Sequence, residues 1–449
     1  MFSVFSAGCS SFDGKAVREK HTKDYQQSLA EETNSVLSQK EVFDLNDCIQ
    51  IALENGLQVK AAKIQQQIAK LERKISFSSF LPVINLSYDY TRWNRQPKVK
   101  TATATMATHD QTVKEITWQM EMSIFDPSTW FLYAMHQRGE ESAQLVTKYT
   151  EQMTVLEITV NYYHCLTLQQ AQQAMRSQLN ATEELEKEIG EFFKEGLVTQ
   201  WQYEQAQVAV LVRRTELNRL EYAIKQAKAD LLVSMGISPL ADISLKIEEP
   251  LQAPTEPLED LVCKALLENP QLYISDLQIA IAEEKVKIAL AAFLPRLTIF
   301  ANRTNTSDSY QLYQDLWRYG FTGTMAIFNG FANINEYKAA KERKKASFID
   351  REQQTLALIL QVYKAYLNLE NAKEETLLAQ KAFDAESKHF NEINNKWKEG
   401  LVQGSDMLSV TADKDNAQME LMNSNFNLQV CIATLQNVMG TAEMPTKGN

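Results

Sequence analysis

The chain has 449 residues, enough for two or three ordinary domains, and its 44% apolar content allows a sizeable core. A net charge of −11 excludes nucleic acid as a main partner, because no basic surface stands ready for phosphates. The chain lacks any run of roughly 18 apolar residues, which excludes a transmembrane helix but leaves open a β-barrel, whose signal per strand is far weaker.

At the N-terminus, Cys9 follows Phe5-Ser6-Ala7-Gly8 and precedes Ser10 and Ser11. Small residues before a Cys match a bacterial lipoprotein cleavage site, where the Cys becomes lipidated. Ser6 stands where Leu is usual, and the charged and apolar parts of a leader are missing upstream; a shortened signal peptide accounts for that. The alternative is an ordinary N-terminal thiol. Residues 1–42 are read as a lipid-anchor region and linker. Cys48, Cys165, Cys263 and Cys431 have no metal-site spacing, and the histidines are scattered, so neither metal nor cofactor is expected.

Helical patterning over about 45–80 stops at Phe80-Leu81-Pro82, where Pro breaks the helix. Ile84, Leu86, Tyr88 and Tyr90 then alternate with Asn85, Ser87, Asp89 and Thr91. Ile116, Trp118, Met120, Met122 and Ile124 alternate with Glu115, Thr117, Gln119, Glu121 and Ser123. Period two predicts strands with one apolar and one polar face, a hairpin over about 83–125. A long helix starts near Ser128. Within it Val146, Met153 and Val160 interleave with Tyr149, Leu156 and Tyr163, a heptad seam. A helix of ~60 residues is roughly 90 Å long, which fits a tube or rod. It breaks at Lys194-Glu195-Gly196-Leu197-Val198, and a further helix returns to Met235-Gly236. Residues 239–257 hold four of the ten prolines and read as a linker.

The same grammar then repeats. Glu54-Asn55 recurs as Glu268-Asn269, and Phe80-Leu81-Pro82 as Phe293-Leu294-Pro295. Ile124-Phe125-Asp126 recurs as Ile327-Phe328-Asn329, the Lys-Glu-Gly-Leu-Val turn as 398–402, and Met235-Gly236 as Met439-Gly440. The copies therefore span 43–238 and 258–440, with a tail at 441–449 and a second hairpin over about 296–328. In that hairpin Leu297, Ile299 and Ala301 alternate with Thr298 and Asn302. Trp317, Tyr319, Phe321, Met325 and Ile327 alternate with Arg318, Gly320, Thr322 and Thr324; Phe300 and Gly323 are exceptions. Leu356, Ile359, Tyr363 and Tyr366 repeat the heptad seam, and the second copy is shorter between its Pro and Phe landmarks.

Each alternating segment supplies the roughly 9–11 residues of a tilted transmembrane strand. Trp93, Tyr313, Trp317 and Tyr319 near the connecting loops, and Phe125, Trp130 and Phe328 near the helices, suit interfacial girdles. Asp89, Glu115, Glu121 and Arg318 on the polar face suit a water-filled lumen. Four such strands cannot close a barrel, and open edges are not tolerated in lipid, so a spanning sheet requires several chains. The alternative is an amphipathic hairpin packed on its own helices.

The order and duplication of these landmarks resemble the TolC-like outer membrane efflux family over nearly the whole chain. The resemblance implies a mixed α+β membrane protein: a long antiparallel α-helical tunnel plus four transmembrane strands per chain. It also implies a homotrimer with a shared twelve-stranded barrel in outer membrane lipid, and a periplasmic helical domain. A periplasmic adaptor and an inner-membrane transporter would be the partners, and Cys9 would carry the lipid. The resemblance further maps Gly196, Leu197, Val198, Gly400, Leu401 and Val402 to an adaptor-docking tip. Asp406 would be a pore constriction, although relatives with a second acidic position have Ser409 here, and the first-copy equivalent of Asp406 is Gln202. Such a duct exports passively, and no catalytic constellation is present, so no enzyme is expected. The rival readings are a soluble coiled-coil scaffold without a pore, and a duct for type I protein secretion or metal efflux. Met120 and Met122 lie on the apolar strand face, which favours lipid contact over metal.

Overall fold

A computed structural model describes residues 12–38 and 40–441. In chain order the elements are α1 (Gly14–Leu37), β1 (Val42–Phe43), α2 (Leu45–Asn55), α3 (Leu57–Ser78), β2 (Val83–Arg92), β3 (Lys98–Lys100), β4 (Thr105–Ala107), β5 (Thr112–Phe125), α4 (Pro127–Lys194), α5 (Gln200–Ser234), β6 (Ser244–Leu245), α6 (Leu258–Glu268), α7 (Pro270–Ala291), β7 (Arg296–Thr306), β8 (Asp315–Thr324), α8 (Ala332–Lys398) and α9 (Gly404–Val438). Two compact units result, each drawing on both halves of the sequence. One comprises residues up to 61, 149–269 and those from 357 on; the other comprises 62–148 and 270–356.

In the first unit the helix expected over 45–80 is broken at Gly56, and its copy at Asn269-Pro270. In the second copy Pro270 stops the helix locally, and in both copies another helix end packs onto the break. Gly236 (φ +75°) and Gly440 (φ +76°) close α5 and α9 with left-handed turns that suit glycine. A Cβ on Gly236 would lie 2.5 Å from the carbonyl oxygen of Asn55, and one on Gly440 2.9 Å from that of Glu268. The Met-Gly and Glu-Asn landmarks of each copy thus meet backbone to backbone. Asn269 adds a hydrogen bond, its Nδ2 donating to the Val438 carbonyl at 2.8 Å.

The expected linker at 239–257 is instead strapped to the core. Its β6 pairs in parallel with β1. Tyr162 Oη donates to the Lys246 carbonyl at 2.6 Å, and Tyr163 Oη to the Glu249 carbonyl at 2.9 Å. The Leu251 amide donates to Gln429 Oε1 at 2.6 Å. Proline prevents a helix here, but hydroxyl and amide side chains satisfy the extended backbone. The N-terminal region expected as anchor and linker holds α1, capped by Asp13, which accepts from the Lys15 and Ala16 amides. It lacks an apolar stripe, so periodicity does not reveal it; Thr33 near its end is buried and accepts from the Ser238 amide at 3.2 Å.

The heptad seams also differ from expectation. Within one chain α4 buries Val155, Ile158, Tyr162 and Leu166, while Val146 and Met153 are exposed. On α8 the buried positions include Leu358, Val362, Ala365, Leu369 and Ala372, a regular alternation of three and four. Leu356, Leu360, Tyr363 and Leu367 form a second stripe that stays exposed. Tyr163 and Tyr366 of the expected seams do pack inside the chain, so each helix uses one apolar face fully and the other only in part.

The second unit contains the main sheet, in the order β2-β5-β7-β8, with every neighbour antiparallel. β8 stops at Thr324, short of the expected Met325 and Ile327, because the chain turns towards α8 through Gly330 and Phe331, both at φ 65°. The connection from β2 to β5 carries the β3–β4 hairpin, which accounts for its greater length than the 307–314 connection. The two connections are fastened together. Asp308, fully buried, contacts His109 Nδ1 at 2.6 Å and accepts from the Asp110 amide at 3.0 Å. Burial pushes the Asp308 carboxyl up, but these hydrogen bonds outweigh it and hold it below the usual carboxylate range.

Candidate functional site

The register sorts the strand residues into two faces. On one lie Ile84, Leu86, Tyr88 and Tyr90 of β2, opposite Met120, Trp118, Ile116 and Lys114 of β5. The row continues through Ile299 and Ala301 of β7 to Phe321 and Tyr319 of β8. Asn85, Ser87 and Asp89 line the other face, opposite Gln119, Thr117 and Glu115, and it continues through Thr298, Asn302 and Thr304. The two exceptions in the alternation are explained by cross-strand fit. Phe300 pairs with Gly320, where a Cβ would lie 3.1 Å from the ring. Leu297 fills the gap at Gly323 in the same way, and the Arg318 guanidinium lies 5.7 Å from the Phe300 ring centroid. β2 and β8 are the edge strands, each paired on one side and, among the described residues, open on the other.

In the first unit the two Lys-Glu-Gly-Leu-Val turns come together on one small core. Gly196 (φ +74°) and Gly400 (φ +73°) reverse the chain, with the Leu197 amide donating to Phe192 and the Leu401 amide to Lys396, both at 2.9 Å. This is the usual helix-ending pattern, and only glycine enters it without strain. Leu197 and Leu401 point outward, 68% and 69% exposed. Val198 packs against a cluster of Leu185, Ile189, Ala206, Met407 and Val410, together with Trp397. Val402 is half-buried. Trp397 Nε1 donates to Glu188 at 3.1 Å and its ring meets Phe192 edge-on, which ties α8 to α4.

Asp406 is exposed and caps α9, its carboxylate accepting from the Gln403 amide at 3.1 Å. Its first-copy equivalent Gln202 does the same at α5, accepting from the Thr199 amide at 2.8 Å. Both belong to capping boxes, a local role that either side chain fills. Cys9 lies outside the described residues.

Two features escape sequence reading. A groove of about 550 Å³ runs between α5 and α9 beside the turns, walled by Trp201, Val208, Leu408 and Ser409. Trp201 and Val208, seven residues apart on one helix, are the signal that points to it. Farther along, Asp415 of α9 is buried against Arg213 of α5 at 2.8 Å, off the line of a hydrogen bond, so Oδ2 has no hydrogen-bond partner. Burial pushes this carboxyl up to about 6, against the pull of Arg213 and Lys414.

Comparison with known proteins places this geometry. No curated protein matches the chain. Among solved structures, the outer membrane channel CmeC of Campylobacter jejuni superposes with a TM-score of 0.78 at 16% identity, covering 90% of this chain and 87% of that one. The outer membrane protein VceC of Vibrio cholerae gives 0.74 at 16%, covering 88% and 96%. The open state of the MtrE outer membrane channel of Neisseria gonorrhoeae gives 0.72 at 15%, covering 90% and 91%. At such identities these likenesses establish the fold. The model of the outer membrane efflux protein family matches residues 48–237 and 261–441. The chain therefore belongs to the outer membrane efflux protein family, and is an outer-membrane efflux channel with no enzymatic activity.

Proposed function

We propose that three copies of this chain form the exit duct of a tripartite efflux system. Each copy contributes β2, β5, β7 and β8 to one shared twelve-stranded barrel. The observation that carries this reading is the sheet itself, apolar on one face, polar on the other, with two unpartnered edges. In lipid such edges must be paired, so β8 of one copy joins β2 of the next. The long helices α4, α5, α8 and α9 then line a periplasmic tunnel, with the repeats 43–238 and 258–440 contributing equivalently.

The two turns, with exposed Leu197 and Leu401 at their tips, dock a periplasmic adaptor that links the duct to an inner-membrane transporter. Gly196, Val198, Gly400 and Val402 shape that surface. Asp406, repeated around a threefold axis, makes a negative constriction that favours cations. Cys9 carries a lipid that anchors the chain. Transport through the duct is passive, and its energy comes from the partners.

Detergent-solubilised mass combined with planar-bilayer conductance tests the reading. The expected result is a particle of three chains with stable cation-preferring channels. A monomer without conductance overturns it. Asp406→Ala is expected to keep the trimer and lose part of the cation preference; an unchanged reversal potential removes Asp406 from the constriction.

A further inference from the structure

The apolar face of the sheet does not stay apolar to its loop end. Along β2 the row Ile84, Leu86, Tyr88, Tyr90 ends at Arg92, and along β5 the row Met122, Met120, Trp118, Ile116 ends at Lys114. On β7, Ile299 and Ala301 are followed by Arg303. Arg303 lies over the Trp317 ring at 5.5 Å and is held by Asp315 in two hydrogen bonds of 3.0 and 2.7 Å. The loop just beyond adds Arg95, Lys98 and Lys100, of which the two lysines sit on the exposed β3 strand.

This tier is basic in a chain whose net charge is −11. Among the described residues, Arg92, Arg95, Lys98, Lys100 and Lys114 make no ion pair with an acid. Asp89 and Glu115 lie on the opposite face of the sheet, and the acids of the loop end are otherwise engaged. Asp308 is buried on His109, Asp110 accepts from the Ser309 amide, and Asp315 holds Arg303. Five free cations above an aromatic belt of Tyr88, Tyr90, Trp118 and Trp317 are the complement of a lipid surface, with tails on the apolar rows and anionic headgroups above.

We propose that this tier binds the phosphate groups of anionic glycolipid in the outer leaflet. The proposal rests on the barrel reading above, in which the loop end of the sheet faces outward. The aromatic belt sets the depth of the headgroups, Arg303 is oriented by Asp315 and Trp317, and Arg92 and Lys114 reach the phosphates directly.

Lipid retention by the detergent-purified full chain tests the proposal, with diphosphorylated lipid A as the probe and native mass spectrometry as the readout. Wild type is expected to retain lipid A, and the combined variant Arg92→Gln, Lys98→Gln, Lys100→Gln, Lys114→Gln to bind it roughly tenfold more weakly or worse. Dephosphorylated lipid A is expected to bind wild type as weakly as the intact lipid binds the variant. Equal affinities of both proteins, or of both lipids for wild type, overturn the proposal. Conductance in zwitterionic bilayers keeps the two readings apart. Channels in both proteins without discrimination between lipids sink this inference alone, while wild type without channels sinks the barrel reading.

Discussion

Gly236 and Gly440 show how much one missing methyl decides. Each sits at positive φ with a carbonyl oxygen where its Cβ would be. Gly236→Ala is expected to cost about 2 kcal/mol or more, since left-handed strain adds to a backbone clash that cannot relax cheaply. Gly139 makes the control. It lies inside α4 with open space at its Cβ, so Gly139→Ala should be neutral or stabilising by about 0.5–1 kcal/mol. Denaturant unfolding followed by circular dichroism measures both. The Met-Gly landmarks are visible in the sequence as a repeat, but their partners at Asn55 and Glu268 are not, because those contacts join segments far apart in the chain. The same limit applies to Asp406. Its place after a turn is legible, and its capping of α9 follows from the spacing to Gln403, whereas the pore role proposed for it rests on other copies.

At the scale of elements, α5 and α9 meet at Arg213 and the buried Asp415, and ionising that carboxyl costs more in burial than Arg213 returns. Asp415 has a folded pKa of about 6, above the ordinary carboxylate value of about 3.9. Its contribution to stability is therefore full below about pH 4 and is lost as pH rises through about 6. Amide exchange of α9 around Asp415, corrected for intrinsic rates, should be faster at about pH 7.5 than at about pH 5. Asp415→Asn should remove the difference; persistence of the pH effect would assign it to another group. Arg213 and Asp415 come from different halves, and neither position stands out in the chain, so only the fold pairs them. The strands behave differently. Their alternation is a local property, and it gave the correct face for every residue from Ile84 to Tyr90. Even the irregular Phe300 and Gly323 kept their rows, filled from the neighbouring strand.

For the whole molecule, the unused apolar surface matters most. Leu356, Leu360, Tyr363 and Leu367 line one face of α8 and remain exposed in the single chain. A stripe at this spacing is a seam waiting for another helix. In the trimer proposed above this stripe would pack against a neighbouring copy, so Leu360→Glu with Leu367→Glu should shift the detergent-solubilised mass from three chains to one. Helical content should stay within the wild-type range, because the inner seam from Leu358 to Ala372 is untouched. A variant that keeps the mass of three chains would place the stripe outside the interface.

The sequence alone determined what depends on short-range order. Proline placement, the period of two and the period of three and four dictated long helices, two amphipathic hairpins and their duplication, and the ordered landmarks carried the family. These signals survive because backbone geometry imposes them within a few residues. Only the tertiary structure decided which of two apolar helix faces lies inside the chain, that the proline-rich segment is strapped down by Tyr162 and Tyr163, and that His109 and Asp308 fasten the two loops. Each of these is a contact between residues distant in sequence. Periodicity marks a face as apolar, and only the arrangement of the other elements determines what that face meets.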